Sequence, residues 1–239
     1  MTEYKPDYVT DPDTWQVRSR LFWRKVRLGA GMVLAMLLTG FGESNQTRAA
    51  YVLLDISDEY VEELGRAQAL TRYLLSDLTT GDTLGAAFID NSSYSDRNVI
   101  AQSTFDHRPS VTHNQKRLFR EAVDHFVENI EVPSAHNDIT GGILLAQERM
   151  VSADAGRNFL FIFSDLQEDR PPWLNRDFPI SLEGTEVVAM NVTNLRSDNH
   201  NPQAYRERLA QWESWVEDNG GTWRVVNDLD QFERQLALR

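Results

Sequence analysis

Residues 49–57 read AAYVLLDIS, and residues 158–165 read NFLFIFSD. Each is a near-continuous apolar run that ends in polar, oxygen-bearing side chains. Such runs predict strands buried on both faces of a parallel sheet. Because the carboxyl ends of parallel strands share one edge, Asp55 and Asp165 are expected at the edge where α/β sheets bind ligands. Alternatively, these aspartates only cap the helices that follow them.

Outward from these two runs, strands alternate with amphipathic helices. This alternation predicts an α/β, Rossmann-like fold with a mostly parallel central sheet and helices on both faces. The short connection between residues 83–90 and 99–105 predicts one antiparallel edge strand. The predicted strands are 49–57, 83–90, 99–105, 158–163, 185–192 and 223–226, and the predicted helices are 58–79, 112–130, 139–151, 203–218 and 229–238.

Composition divides the chain into four parts: a polar tail with a basic flank (1–27), an apolar segment (28–42), a linker (43–48) and one domain (49–239). The net charge is −12, and there is no cysteine. A chain without cysteine has no disulfides and no thiolate metal sites. The domain has an excess of acidic residues and no basic patch of the kind that nucleic-acid-binding proteins carry. This charge fits a basic partner or a divalent cation better.

The apolar segment reads LGAGMVLAMLLTGFG and follows a basic cluster within residues 18–27. As a helix it would be roughly 22 Å long, shorter than a bilayer core of about 30 Å, so it fits a signal-peptide core or a short anchor. Leu38-Thr39-Gly40 resembles a bacterial lipoprotein signal, but Phe41 replaces the lipidated cysteine. We therefore expect membrane contact through residues 18–42 and a domain on the extracytoplasmic, periplasmic side. The alternative is a buried helix packed on the domain.

Four segments carry a family resemblance, in this order along the chain. They are YVLLDISDE at 51–59, GDTLGAAFID at 81–90, NDITGGILLA at 137–146 and FLFIFSDLQED at 159–169. Together they resemble the motifs of the von Willebrand factor A-type (VWA) domain. The resemblance covers about residues 49–239 and implies a Rossmann-like VWA fold with a metal-ion-dependent adhesion site at one edge of the sheet.

The resemblance implies that Mg²⁺ or Mn²⁺ is held by oxygen ligands from three loops, as hard cations prefer. In the first loop Asp55 and Ser57 match the family pattern, whereas Glu59 stands where the family has serine. A glutamate there adds negative charge and could take the coordination position of a partner's carboxylate.

The second and third loops match less completely. Asn137 stands where the family has threonine, and a shifted register would use Thr140 instead. Asp165 matches, but Leu166 replaces the glycine that follows it. The expected site is therefore a degenerate one. The alternative is a metal-free relic in which these side chains hold the loops together by hydrogen bonds.

A partner surface is expected beside this site. The segment 167–184, hereafter the loop 167–184, contains three prolines that disfavour a long helix, and it carries the aromatic residues Trp173 and Phe178. Long irregular loops next to a site are commonly functional. His136 and Asp138 flank the second site loop and are also expected to contact a partner.

These observations predict a non-enzymatic protein-binding module, in which the bound cation takes an acidic residue of a partner protein. The first alternative is a structural scaffold subunit that binds without metal. The second is a Mg²⁺-dependent hydrolase, which the absence of a phosphate-binding loop motif and of a nucleophile motif disfavours.

Overall fold

The computed structural model describes residues 46–57, 64–130, 133–176, 178–190 and 202–226. The predicted leader (residues 1–42), the predicted last helix (229–238) and Glu59 lie outside these ranges. The strands are β1 Arg48–Asp55, β2 Thr83–Ile89, β3 Val99–Thr104, β4 Arg157–Phe163, β5 Thr185–Met190 and β6 Thr222–Val226. The helices are α1 Leu64–Asp77, α2 Pro109–Glu128, α3 Ile139–Ala153 and α4 Pro202–Asp218, with a short 3-10 turn at Asp96–Asn98.

The six strands form one sheet in the order β3-β2-β1-β4-β5-β6. Four of the neighbouring pairs are parallel, and only the β2–β3 pair is antiparallel. The predicted α/β, Rossmann-like sheet with one antiparallel edge strand is therefore confirmed. The chain winds outward from β1 to β3 and then returns to β4 on the other side of β1. The winding direction thus reverses between β1 and β4, where such sheets open a crevice.

Both faces of the sheet are covered, which explains the apolar run of β1. Its residues Ala50, Val52 and Leu54 pack in one core cluster with α1 and α2. Its alternate residues, including Tyr51 and Leu53, pack in a second cluster with α3 and α4. Because successive side chains of a strand point to opposite faces, a strand between two cores must be apolar throughout.

Gly85 of the second family-like motif has a packing role. It lies opposite Tyr51 in the β1–β2 register. A Cβ atom at this position would lie 2.1 Å from the Tyr51 ring, so only glycine fits beside the buried tyrosine. Burial raises the pKa of the Tyr51 phenol to about 12. Gly85 therefore positions β1 against β2, while the end of the motif contacts the site loops through the Ile89 and Asp90 carbonyl oxygens, which accept bonds from the Ile56 and Asp138 backbone N–H groups.

Element boundaries differ from the sequence predictions at several ends. Helix α2 begins at Pro109 rather than at residue 112, because proline is well tolerated in the first helical turn. Strand β1 ends at Asp55, and Ser57 forms only an isolated bridge with Ser134. Over the described ranges, no helix is both long and apolar enough to cross a bilayer.

Candidate functional site

The candidate site lies at the edge of the sheet where β1 and β4 end. Asp55 is the last residue of β1, and Ser164 and Asp165 directly follow β4, its parallel neighbour. We call these three residues and the loops around them the carboxyl edge. The sequence placed Asp55 and Asp165 at this edge, and the structure puts both there, at the reversal of the winding direction.

Asp55 is the centre of a buried hydrogen-bond network, with a side chain that is 0% exposed. Its Oδ1 accepts a bond from the Ser57 backbone N–H at 2.9 Å. Its Oδ2 accepts from the Ser164 hydroxyl at 2.6 Å and from the Asn137 Nδ2 at 3.2 Å. A carboxylate with this many donors is held firmly even though it is buried.

Asn137 connects this network to the loop 167–184. Its Oδ1 accepts a hydrogen bond from the Asp169 backbone N–H at 2.6 Å. The two backbones also pair, because each N–H donates to the other's carbonyl oxygen. A backbone N–H can only donate, so the Asn137 oxygen must face Asp169 and the Asn137 amino group must face Asp55.

Thr140, the other proposed ligand of the second site loop, is hydrogen-bonded to a different residue. Its hydroxyl donates to Glu168 Oε2 at 3.1 Å, and its backbone N–H donates to Glu168 Oε1 at 2.7 Å. Thr140 lies in the first turn of α3, where a carboxylate is stabilised by the exposed N–H groups of the helix. Glu168 is thus a site residue that the sequence analysis missed.

These contacts test whether the residues fit a divalent cation. Asp55, Ser57 and Asp165 offer oxygen atoms at one edge, as Mg²⁺ or Mn²⁺ requires. Asn137, however, presents N–H groups to the central carboxylate, and an N–H donor is not a metal ligand. Over the described residues, no group of three or more His, Cys, Asp or Glu side chains is placed to hold a metal ion. As arranged, the residues present do not fit the cation that the VWA resemblance implies.

In the third loop, Leu166 adopts a backbone conformation that glycine favours. Leu166, where the VWA pattern has glycine, has a φ of +63°, in the left-handed region that glycine favours. Its side chain is buried, and its carbonyl oxygen accepts a bond from the Trp212 indole N–H at 2.9 Å. Asp165 is also buried, and its Oδ1 accepts from the Gln167 N–H at 2.8 Å.

Asp138 has an internal role, in contrast to the partner contact that the sequence predicted. It is 0% exposed and caps α3 by accepting a bond from the Gly141 N–H at 2.9 Å. The Arg176 Nε donates to both of its carboxylate oxygens, at 3.0 and 3.1 Å. This buried ion pair explains why Asp138 is unsuited to meeting a partner. No local sequence pattern predicts this pair, because the two residues are 38 positions apart.

The loop 167–184 is therefore attached to the domain through its polar residues. Glu168 binds the start of α3, Asp169 binds Asn137, and Arg176 binds Asp138. His136, which is partly exposed, contacts Asp169 through its Nδ1 at 2.8 Å. The predicted contact of His136 with a partner is compatible with this exposure.

The aromatic residues of the same loop point away from the core. Trp173 is 71% exposed and Phe178 is 58% exposed. Phe178 also lines a groove of about 570 Å³ between the loop, α3 and α4. The other apolar residues of this groove are Leu144, Leu166, Ile180, Ala204, Trp212 and Trp215.

Comparisons with known proteins add little to this picture. No family model matches the chain, and no curated protein matches it. Two solved structures are similar to it, each with a TM-score of 0.43: proximal thread matrix protein 1 from the mussel byssus and the human COPII-coat protein Sec24c. Their sequence identities are 14% and 11%, and they cover 81% and 80% of this chain. The chain spans 47% of the first protein and 32% of the second, and neither likeness bears on what it binds.

Proposed function

We propose that residues 49–239 form a VWA-type domain that acts as a non-enzymatic protein-binding module of a membrane-proximal bacterial assembly. Three features support the family assignment. The four motif segments occur in the expected order. The sheet has one antiparallel edge strand. Asp55 and Asp165 follow neighbouring strands at the point where the winding reverses.

The observation that carries the binding function is the arrangement of the loop 167–184. Its residues Glu168, Asp169 and Arg176 bind the rest of the domain, whereas Trp173 and Phe178 are exposed. Large aromatic side chains dominate the binding energy of protein interfaces. A loop already held in one conformation also loses less entropy on binding. The loop thus presents two preordered apolar contacts to a partner protein.

The membrane association rests on the sequence of residues 18–42, which lie outside the described ranges. A basic cluster followed by an uncharged apolar segment favours a signal or anchor with the domain on the extracytoplasmic side. The first described strand begins at Arg48, at the end of the sheet opposite the carboxyl edge. A partner can therefore reach the carboxyl edge without passing the point where residues 46 and 47 enter the domain.

A second candidate mode is binding through Mg²⁺ or Mn²⁺, with an acidic residue of the partner completing the metal shell. This mode would require the Asn137 amino group to leave Asp55. The placement of Asp55, Ser57 and Asp165 at one edge favours it. The orientation of the Asn137 amide favours the direct, metal-independent mode. A hydrolytic function has weaker support, because the Asp55 and Asp138 carboxylates are buried and engaged by internal donors.

Site-specific photocrosslinking tests the binding surface. A photoreactive phenylalanine analogue replaces Trp173 in the full chain, expressed in its source cells, and the crosslinked protein is identified and purified. Leu118 on α2, which is 51% exposed, is the matched control position. We expect Trp173→Ala and Phe178→Ala each to raise the dissociation constant of that partner at least about tenfold, because such residues are typical interface hot spots.

The control variant Leu118→Ala is expected to change the dissociation constant less than about twofold. Equal weakening by Leu118→Ala and Trp173→Ala, or crosslinks from position 118 alone, would refute the proposed surface. Repeating the measurement in EDTA and in about 5 mM Mg²⁺ separates the two modes. This Mg²⁺ concentration is roughly saturating for a site with a millimolar dissociation constant. Loss of binding in EDTA would favour the metal-dependent mode.

A further inference from the structure

We propose that the side-chain amide of Asn137 takes the place of a divalent cation at the carboxyl edge, so that hydrogen bonds close the site. The VWA resemblance implies a metal ion that joins three loops. Asn137 itself joins three loops: it lies in the second, donates to Asp55 in the first, and accepts from Asp169 in the third. The same crosslink is thus made by one neutral side chain.

The amide cannot turn to offer its oxygen to a cation without breaking this crosslink. Its Oδ1 is bound to the Asp169 N–H at 2.6 Å, and a flip would place the amino group against that donor. The flip would also place the amide oxygen against the Asp55 carboxylate, an acceptor facing an acceptor. Both changes are unfavourable at a site where Asn137 is 4% exposed and Asp55 is fully buried.

Both oxygens of the Asp55 carboxylate already have hydrogen-bond donors, two of them on Oδ2. The three donors are the Ser57 backbone, the Ser164 hydroxyl and the Asn137 amide. A cation at Oδ2 would have to displace the Asn137 amino group. This displacement would strip a buried donor of its partner and loosen the attachment of the loop 167–184. Binding of a cation is therefore coupled to the opening of the site.

Thermal unfolding of the full chain, in EDTA and over a titration of Mg²⁺ or Mn²⁺, tests this proposal. Ligands that bind the native state raise the melting temperature in a saturable way. For the wild-type protein we expect a shift below about 1 °C at roughly 10 mM of either metal, because the site binds neither in this range. Saturable stabilisation of the wild-type protein that Asp55→Asn abolishes would overturn the proposal.

The variant Asn137→Asp is the one that we expect a metal ion to stabilise. It keeps the shape of the side chain but places a second carboxylate beside Asp55. In EDTA we expect the melting temperature to fall by roughly 5 °C or more, because two adjacent buried carboxylates repel each other. Mn²⁺ should restore most of this loss in a saturable way, since paired carboxylates favour hard cations. Destabilisation that neither metal reverses would show that the amide does not occupy a cation's position.

Two further variants keep the test decisive. Asn114→Asp adds a carboxylate on the exposed face of α2 and should show neither the loss nor the rescue. If Asn137→Asp does not fold, Asn137→Ser replaces the amide by a hydroxyl ligand, and its smaller loss of stability should again be reversed in part by Mn²⁺. These measurements use the free protein, so their failure would leave the proposed partner surface around Trp173 standing.

Discussion

A buried aspartate lies at each end of strand β1: Asp55 is its last residue, and Asp82, which precedes β2, contacts Arg48 at its start. The two carboxylates are held in different ways. At the end where β1 begins, Asp82 accepts bonds from the Arg48 backbone N–H at 2.7 Å and from its guanidinium at 2.9 Å. Thr79 adds a backbone donor at 2.7 Å. We call this group, which also includes Asp77, the amino edge. At the carboxyl edge, all donors to Asp55 from the described residues are neutral.

This difference fits a structural role for the amino edge and the proposed binding role for the carboxyl edge. The amino-edge pair joins two neighbouring strand starts, and the Arg48 charge balances the Asp82 charge in place. The donors to Asp55 come instead from three segments: Ser57 directly after β1, and Asn137 and Ser164, which are 82 and 109 residues away in the sequence. We therefore expect removal of the Asp55 carboxylate to loosen these loops, and removal of the Asp82 carboxylate to affect mainly stability.

The largest expected effect comes from the carboxyl edge itself, through Arg176→Met. This change leaves the fully buried Asp138 carboxylate without the guanidinium that pairs with it. Breaking one side of a buried ion pair costs about 3–5 kcal/mol. The free energy of unfolding, measured by urea denaturation, should fall by this amount, and the loop 167–184 should become more susceptible to proteolysis.

A double-mutant cycle with Asp138→Asn isolates this ion pair. Once the Asp138 charge is removed, Arg176→Met should cost at least about 1 kcal/mol less than it does in the wild-type background. Simple additivity of the two changes would mean that the pair is not coupled.

At the amino edge the matched change Arg48→Met should have a smaller effect. The Arg48 side chain is 28% exposed, whereas the Arg176 side chain is only 8% exposed. We expect a loss of about 1–2 kcal/mol, because solvent screens a partly exposed pair. A loss equal to that of Arg176→Met, in the same urea assay, would contradict the proposed difference between the edges.

The sequence predicts the sheet better than it predicts the site. The apolar runs identified the buried strands, and their polar ends placed Asp55 and Asp165 at one edge, because both are local patterns. The orientation of the Asn137 amide depends on a backbone N–H 32 residues away, and the role of Asp138 depends on an arginine 38 residues away. No local sequence pattern indicates such long-range pairs, so the predicted metal ligands and partner contacts could not take them into account.

The pH dependence of stability should also distinguish the edges. Burial alone would raise the pKa of Asp82, but hydrogen bonds from Thr79 and Arg48 outweigh it and hold this pKa below its ordinary value. A depressed pKa contributes stability above the unfolded-state value of about 4, and this stability is lost as the pH falls through the folded-state pKa.

Urea midpoints measured between about pH 7 and pH 3 check this expectation. The variant Asp82→Asn should flatten the decline of stability toward low pH, because the titrating group is gone. An unchanged slope in Asp82→Asn would mean that acid sensitivity arises elsewhere in the chain. Repeating the series at roughly 1 M salt removes the contribution of exposed ion pairs and leaves that of buried Asp82.

The smallest expected effect is that of Asp154→Gly. In the described ranges the non-glycine residues with positive φ are Asp154, before β4, and Leu166, after it. Asp154 is exposed at the C-terminal end of α3 with a φ of +50°. Asp154→Gly should raise the free energy of unfolding by about 0.5–1 kcal/mol, because glycine adopts this conformation without a steric cost. Leu166→Gly relieves the same backbone cost but removes a buried side chain, so it should destabilise the protein. A gain from both changes would mean that Leu166 contributes little packing, and that the carboxyl edge tolerates the glycine of the VWA pattern.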